Sequence, residues 1–198
     1  EIYGWAESPT HPRKIISMEY VKHSSLTVML KQGKFNFNGT EKTKIALGVA
    51  HTINYLHKLG IHHCDLSLNN ILIDENNEPK ICDFGNAKYS SESPNHIGTP
   101  GYAAPEIRFH TGYKENSPQS DVFGFGAILW VLATEESLPP MKPNKDNLTY
   151  DKFKDENLKN IKLFIKSCRA CHPRQRYTFD NIIKLIVYGK YVFPDTDF

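Results

Sequence analysis

The most informative stretch of the chain is residues 61–72, IHHCDLSLNNIL, which is followed by DFG at residues 83–85. Asp65 comes shortly after a predicted helix, so we expect it in a loop, where a carboxylate can orient a hydroxyl group and accept its proton. Asn70 and Asp83 can supply the oxygen ligands that Mg²⁺ prefers, with water and phosphate completing its coordination. These residues predict the parts needed for phosphoryl transfer, a hydroxyl-positioning base and a metal clamp on the phosphate.

Apolar periodicity predicts helices and strands on both sides of this stretch. Apolar residues recur at helical spacing from Ile45 to Leu56, which predicts a helix over 40–59 that stops at Gly60. Residues 121–134 are apolar on nearly every face, which is typical of a buried helix. The other predicted elements are a hairpin of strands over 1–8 and 14–21, strands over 71–73 and 80–82, helices over 24–30, 158–170 and 179–188, a long loop over 86–120 and a surface loop over 139–147.

Composition and charge narrow the class of protein. The chain has 198 residues, 39% of them hydrophobic, and 24 basic against 22 acidic side chains, for a net charge of +2. This length and apolar content fit one domain with a real core rather than a disordered chain. The near-balanced charge argues against nucleic acid as a partner, and no apolar run approaches the length of a membrane span. No signal peptide opens the chain, and nothing in it indicates an oligomeric state.

The four cysteines predict a reducing environment. Cys64, Cys82, Cys168 and Cys171 are scattered in a way that does not resemble a disulfide framework, so we expect a cytoplasmic protein. Residues 168–172 match the C-x-x-C-H pattern of haem attachment, but they fall in a predicted amphipathic helix and at its end. The cysteines and histidines show no zinc-ligand spacing. Haem and zinc sites are therefore disfavoured.

Taken together, these segments resemble the catalytic domain of eukaryotic protein kinases. Residues 61–72 are similar to the family's H-R-D-L-x-x-x-N catalytic loop, and the DFG motif follows at the family's spacing. Other landmarks occur in the family's order: MEYV at 18–21 resembles the gatekeeper and hinge, GTPGYAAPE at 98–106 the end of the activation segment, SDVFGFG at 120–126 the start of the long buried helix, and HPRQR at 172–176 the D-P-x-x-R near the end of the domain. Residues 191–195, YVFPD, and Cys168 place the chain nearest the tyrosine-kinase-like group, whose members are mostly specific for Ser and Thr.

The resemblance implies an α+β, protein-kinase-like fold, with a predominantly helical large lobe and a remnant hairpin of the small lobe. Residues 1–198 would form one protein kinase domain. Residues 1–21 would be the last small-lobe strands and the hinge, and residues 22–198 the large, C-terminal lobe. The glycine-rich loop, the strand lysine and the helix glutamate of the family do not precede Glu1. On this interpretation most of the small lobe is missing.

The implied activity is transfer of the γ-phosphate of ATP to Ser or Thr of a protein substrate, with ATP and Mg²⁺ as cofactors. By resemblance, Asp65 would orient the substrate hydroxyl, and Asn70 and Asp83 would hold Mg²⁺. Thr99 matches the position that contacts the catalytic aspartate in Ser/Thr kinases. Ser67 belongs to the same set, since it stands where Ser/Thr kinases commonly have a lysine.

The resemblance also assigns nucleotide-binding residues. Leu72 would form the floor beneath the adenine with Met18 beside it, and the backbone of Glu19 and Val21 would form hydrogen bonds with the base. Three further roles are structural: Glu106 and Arg176 would form a buried ion pair, Asp121 would bind the backbone of the catalytic loop, and His63 and Phe84 would stack.

Two residues of the catalytic loop depart from the family pattern. Cys64 stands where the family usually has an arginine that pairs with a phosphate on the activation segment, so we expect activation that does not depend on such a phosphate. Ser67 removes a cation near the γ-phosphate, which predicts weaker stabilisation of the transition state.

Two alternative functions stay open. A pseudokinase or truncated kinase acting as a protein-interaction module is favoured by the missing small lobe and disfavoured by the presence of Asp65, Asn70 and Asp83. A small-molecule phosphotransferase of the aminoglycoside-kinase type shares the H-x-D-x-x-x-x-N pattern. Enzymes of that type lack the A-P-E motif and the helix aspartate that this chain has at 104–106 and at Asp121, which disfavours this alternative.

Overall fold

The computed structural model describes residues 2–8, 14–92, 98–108, 118–138, 153 and 158–197. In this part of the chain the helices are α1 (Leu26–Lys31), α2 (Gly39–Lys58), α3 (Pro105–Arg108), α4 (Gln119–Thr134), α5 (Lys159–Cys168) and α6 (Phe179–Val187). The strands are β1 (Ile2–Glu7), β2 (Lys14–Met18), β3 (Ile61–His62), β4 (Ile71–Ile73), β5 (Pro79–Ile81) and β6 (Lys88–Tyr89). Single 3₁₀ turns occur at Leu68–Asn70, Phe84–Asn86 and Pro173–Gln175. The predicted surface loop over 139–147 lies outside the described residues.

Helix α2 precedes residues 61–72, which we call the catalytic-loop stretch after the motif that they resemble. Its start is fixed by a capping box, in which the Asn38 side chain accepts from the Glu41 amide and the Glu41 carboxylate accepts from the Asn38 amide. The apolar face from Ile45 to Ile53 is buried, as the periodicity predicts. Gly60 follows the helix in the left-handed conformation, with φ of 72°, which lets the backbone turn towards β3. The predicted helix is confirmed, with its start one residue earlier.

Helix α4 is the centre of the core. Every residue from Ser120 to Leu132 is buried, which confirms the prediction of an all-round apolar helix. The helix packs against α2 and α5, and α6 packs against α2. A Cβ atom at Gly124 would lie 2.7 Å from the Leu66 carbonyl oxygen, so glycine is what allows α4 to approach the catalytic-loop stretch this closely. The core therefore supports that stretch directly.

Three two-stranded antiparallel sheets occur within the described ranges, namely β1–β2, β3–β6 and β4–β5. The predicted hairpin at the start of the chain is confirmed, but β2 ends at Met18 rather than at residue 21. The hairpin's apolar side chains Tyr3, Trp5 and Ile16 are more than half exposed. Strand β4 has the predicted bounds, and β5 begins and ends one residue before its predicted 80–82. With the helices, these sheets confirm the α+β class.

The prediction of an unbroken loop over 86–120 was wrong. Helix α3 and strand β6 fall within it, and α4 begins at Gln119. Strand β6 is only two residues long and forms because Lys88 pairs with His62 of β3, a partner that local propensity does not indicate. The helix predicted over 24–30 also starts later, at Leu26. Ser25 is its N-cap, and the Ser25 side chain accepts a hydrogen bond from the Val28 amide.

Candidate active site

Asp121, in the first turn of α4, binds the backbone of the catalytic-loop stretch through its carboxylate. Its Oδ2 accepts from the His63 amide at 2.9 Å, and its Oδ1 accepts from the Cys64 amide at 2.9 Å. The predicted contact with the loop backbone is therefore confirmed. His57 of α2 also contacts Asp121 Oδ2, through Nε2 at 2.8 Å. Burial by itself raises the pKa of the Asp121 carboxyl, but His57 and the His63 amide hold that pKa below its ordinary value.

Asp121→Asn is expected to lower the free energy of unfolding by about 3 kcal/mol, the scale for depriving buried donors of a charged acceptor. The unfolded carboxyl titrates near its ordinary pKa of 3.8 and the folded one below it, so this stabilisation is complete above that value. It is lost as the pH falls through the lower folded pKa. Urea unfolding between pH 3 and pH 6 measures it as the difference between wild type and variant.

That difference should stay constant above about pH 5 and shrink below pH 4. Glu75→Gln is the matched control, because Glu75 is an exposed carboxylate in the β4–β5 turn. A difference that stays unchanged down to pH 3 would show that Asp121 does not contribute as an anion.

The Asp65 carboxylate is held on one side and half-exposed. Its Oδ1 accepts from the Thr99 amide at 2.9 Å and from the Thr99 hydroxyl at 2.6 Å. The side-chain nitrogen Nδ2 of Asn70 donates to the backbone carbonyl oxygen of Asp65 at 2.9 Å, which fixes the loop between the two residues. Oδ2 accepts a longer bond, of 3.4 Å, from Asn86. One carboxylate oxygen is thus fully engaged, while the other retains capacity to accept from a hydroxyl group.

The contact between Thr99 and Asp65 was predicted and is confirmed. The contribution of Asn86 was missed. It follows the DFG motif directly, and its position one residue beyond that motif is the only signal that could have marked it.

His63 joins the catalytic loop to the segment that carries Asp83. The Asp65 amide donates to His63 Nδ1 at 3.4 Å, so Nε2 carries the hydrogen and donates to the Cys82 carbonyl at 3.2 Å. The His63 ring also lies 5.2 Å from the Phe84 ring, which confirms the predicted stacking contact. This imidazole therefore sets the distance between the predicted base and the predicted metal ligands.

Asn70 and Asp83 are brought together by backbone pairing. The Cys82 amide donates to the Asn70 carbonyl at 3.0 Å, which places Asp83 one residue beyond that bond. Asp83 has left-handed backbone angles, φ 62° and ψ 75°, and its Oδ1 accepts from the Gly85 amide at 3.2 Å. Non-glycine residues adopt this conformation rarely, and it turns the exposed carboxylate away from the course of β5.

The donor set at this point fits Mg²⁺. The Asn70 side chain donates its hydrogen bond from Nδ2, which leaves Oδ1 for a cation. The Asp83 carboxylate accepts its hydrogen bond through Oδ1, which leaves Oδ2 for the same cation. Across the described ranges there is no cluster of three or more His, Cys, Asp or Glu side chains able to hold a metal. A cation held here therefore needs phosphate and water as its other ligands, which is how Mg²⁺ commonly binds with a nucleotide.

The predicted nucleotide-binding residues lie along the hinge and β4. Met18 ends β2, pairs with Ile2 and is 53% exposed. Leu72 is half-buried in β4, where it forms a bridge to Ser25. Val21 is half-buried in the segment after β2.

Glu19 makes an ion pair that the sequence did not predict. Its carboxylate binds Lys80 of β5, and this contact is the largest of the causes that lower the pKa of Glu19 to about 2. The pair connects the predicted hinge to the strand that leads to Asp83.

Of the two residues that depart from the family pattern, Cys64 is half-buried and Ser67 is fully buried. Burial raises the pKa of the Cys64 thiol to about 12, so it is protonated at neutral pH. Ser67, expected beside the γ-phosphate, is fully buried, and its hydroxyl has no hydrogen-bond partner among the described residues. A hydroxyl in the interior does not support a direct phosphate contact, so we leave Ser67 out of the catalytic set proposed below.

The predicted ion pair between Glu106 and Arg176 is confirmed. Arg176 donates from Nη1 to Oε1 at 2.6 Å and from Nη2 to Oε2 at 2.8 Å, and both side chains are buried. It also donates to the carbonyls of Ala170, Cys171 and Gln119. This bidentate arrangement fixes α3 to the start of α4.

The C-x-x-C-H motif does not form a shared thiol site. Cys168 is fully buried in α5, whereas Cys171 is exposed. Two thiols in such different surroundings are not arranged to attach one haem together.

Residues 1–186 match the protein kinase domain family. The chain belongs to this family. A probable serine/threonine-protein kinase of Dictyostelium discoideum is 38% identical over 128 residues, which cover 63% of this chain and 14% of that protein. A second one from the same organism is 30% identical over 197 residues, covering 95% of this chain and 21% of that protein. The dual specificity protein kinase shkC of D. discoideum is 28% identical over 195 residues, covering 88% and 37% respectively.

The matches thus cover between 14% and 37% of the length of these curated relatives. Among the helices that the structure describes, none combines the length and the apolar character required to cross a bilayer.

Proposed function

We propose that this kinase-family chain supplies the catalytic lobe for transfer of the ATP γ-phosphate to Ser or Thr of a protein substrate. The observation that carries the proposal is the arrangement around Asp65. Thr99 holds one carboxylate oxygen through two hydrogen bonds, and Asn70 holds the carbonyl of the same residue. A carboxylate fixed on one side can orient an acceptor hydroxyl and take its proton.

Bound Mg²⁺ would supply charge neutralisation on the transferring phosphate. Asn70 and Asp83 are its proposed ligands, through the oxygens that their own hydrogen bonds leave available. His63 keeps the two halves of the site in register, because it bonds both the Asp65 amide and the Cys82 carbonyl. The protein's contribution is thus mainly positioning, as phosphoryl transfer requires.

The nucleotide side of the proposal uses the hinge. Met18 and Leu72 would contact the adenine, and the backbone of Glu19 and Val21 would bind its edge. The ion pair from Glu19 to Lys80 supports this assignment, because it fixes the hinge against β5 while leaving Met18 largely exposed. The division into a hinge part, 1–21, and a large lobe, 22–198, belongs to the same proposal.

The acceptor is proposed to be Ser or Thr, with the tyrosine-kinase-like group as the subfamily. The hydrogen bond from the Thr99 hydroxyl to Asp65 and the names of the two serine/threonine-kinase relatives support Ser or Thr as the acceptor. A cytoplasmic location is part of the proposal, and the four free cysteines support it.

The alternative, a protein-interaction module without catalysis, is favoured by one observation. The β1–β2 hairpin exposes Tyr3, Trp5, Ile15 and Ile16, each by more than half. Exposed apolar side chains on a hairpin are suited to protein contact.

A transfer assay separates the candidates. The natural full-length protein is incubated with Mg²⁺, γ-labelled ATP and either dephosphorylated casein or kanamycin. We expect label on Ser and Thr of casein and none on kanamycin, as read by phosphoamino-acid analysis. Label on kanamycin alone would favour a small-molecule phosphotransferase, and no label on either would favour the interaction module.

Thr99→Val is expected to lower kcat by about tenfold to a hundredfold, since a hydrogen bond to a charged group contributes about 1.5–3 kcal/mol. The KM for ATP should stay unchanged, because Thr99 contacts the base and not the nucleotide residues. Steady-state kinetics with a peptide substrate measures both constants. Thr99→Ser keeps the hydroxyl and should retain near-normal kcat, and equal rates for the two variants would contradict the role of this bond.

A further inference from the structure

A second concave site lies outside the candidate active site. It is a cavity of about 400 Å³ between the segment that follows the hinge, helix α1 with the loop after it, and the β4–β5 turn. Its volume is within the range of ligand-binding pockets, and it is open along the surface. None of the residues proposed for catalysis, metal binding or nucleotide binding lines it.

The floor of this cavity is apolar. Met29 and Phe37 are buried beneath it, and Val28 is half-buried beside them. The Phe37 ring packs edge-on against Phe35, with the centroids 5.1 Å apart, which holds the floor in place. An apolar side chain of a ligand would therefore find a preformed surface to cover.

The rim of the cavity is basic. Lys22 and Lys34 are exposed at its edge, and within the described ranges neither has an ion-pair partner. Among the residues that the structure describes, no acidic side chain lines the cavity. Near the β4–β5 turn, Glu41 accepts from Asn77 and Glu78 pairs with Lys44. Glu75 of the same turn is exposed, but it is not among the residues that line the cavity. The cavity therefore combines an apolar floor with cations that are available to a ligand.

The walls are held by backbone hydrogen bonds. The His23 amide donates to the Ile73 carbonyl at 3.2 Å, and the Ile73 amide donates to the Ser24 carbonyl at 3.1 Å. These bonds tie the segment that follows the hinge to β4. The Lys34 amide donates to the Met29 carbonyl at 2.9 Å, so the lysine-bearing loop is fixed to α1. A rigid site loses little conformational entropy on binding, which favours affinity.

We propose that this cavity, the Lys22–Lys34 groove, docks an extended acidic segment of a protein partner that carries an apolar side chain. The apolar side chain covers Val28, Met29 and Phe37, and flanking carboxylates face the two lysines. The open shape suits a chain that passes across it rather than an enclosed small molecule, and the charge is complementary to Glu and Asp. The groove goes beyond the proposed catalytic function, since binding there does not require phosphoryl transfer.

Fluorescence anisotropy tests the proposal on the full 198-residue chain. The probes are fluorescein-labelled twelve-residue peptides of Glu with one or two Leu at varied spacing. Matched sets carry Lys in place of Glu, or Ser in place of Leu. We expect the Glu–Leu set to bind, with affinity that falls as salt rises, and the two matched sets to bind at least about tenfold more weakly.

Charge reversal locates the binding. The double variant Lys22→Glu/Lys34→Glu should lose at least about tenfold in affinity for the Glu–Leu peptides. The double variant Lys58→Glu/Lys162→Glu has the same change in net charge on α2 and α5 and should bind as wild type. Val28→Asp tests the floor separately and should also weaken binding, with circular dichroism confirming that each variant is folded.

Several outcomes would overturn the proposal. They are absence of binding across the Glu–Leu set, equal binding of the Ser-substituted set, and equal losses in both double variants. Selective binding of phosphatidylserine vesicles, lost in Lys22→Glu/Lys34→Glu while the peptides fail to bind, would assign the groove to a membrane surface instead.

Discussion

Asp65→Asn in the natural full-length protein is expected to reduce phosphoryl transfer to casein by at least a hundredfold. General base catalysis contributes about 10² to 10⁴ in rate. Asparagine keeps the size of the side chain and an oxygen that accepts from Thr99, so the loop should stay in place. It loses the capacity to accept the hydroxyl proton. The rate of label incorporation at saturating ATP measures the effect, and the ATP affinity should change little.

The control for this substitution is Asp180→Asn, which makes the same chemical change on the exposed face of α6. Its rate should equal that of the wild type. Persistence of wild-type turnover in Asp65→Asn would remove Asp65 from the role proposed for it. Loss of turnover accompanied by loss of the folded state, seen as a lower thermal midpoint, would assign it a structural role.

Motifs with a local pattern were predicted well from the sequence. The helix from Gly39 to Lys58 has an apolar period and a capping box, both of which are properties of neighbouring residues. The apolar helix α4 was equally clear. Thr99 and Asp65 are 34 positions apart in the chain, and their contact was predicted only because the family resemblance supplied it.

Tertiary contacts that the family resemblance did not supply were not predicted. His57 contacts Asp121 because α2 and α4 cross, and no spacing within α2 indicates that crossing. Strand β6 exists because His62 pairs with Lys88. The burial of Ser67 was missed for a similar reason, since the alignment of motifs gives its position in the chain but not the direction of its side chain.

The Lys22–Lys34 groove shows the same limit. Its floor comes from α1 and the loop after it, and its far wall includes Asn77 of the β4–β5 turn. Lys22 and Lys34 are separated by twelve positions and do not form a charge run. Only the fold makes them the two edges of one cavity.

The largest effect on stability is expected from the buried ion pair. Glu106→Gln should lower the free energy of unfolding by about 3–5 kcal/mol, the cost of leaving a buried charge without its partner. Arg176 would then keep three carbonyl acceptors but no counter-ion. Guanidinium unfolding, monitored by tryptophan fluorescence, reports the change because Trp130 lies within α4.

Glu78→Gln is the matched control, because Glu78 pairs with Lys44 at 2.9 Å and both side chains are nearly half exposed. It should cost no more than about 1 kcal/mol. The double variant Glu106→Leu/Arg176→Met should be more stable than Glu106→Gln alone, since it removes the unpaired buried charge along with its partner. Equal losses for Glu106→Gln and Glu78→Gln would show that burial adds nothing to the cost of breaking the pair. The link between α3 and the start of α4 would then have to come from the carbonyl bonds of Arg176.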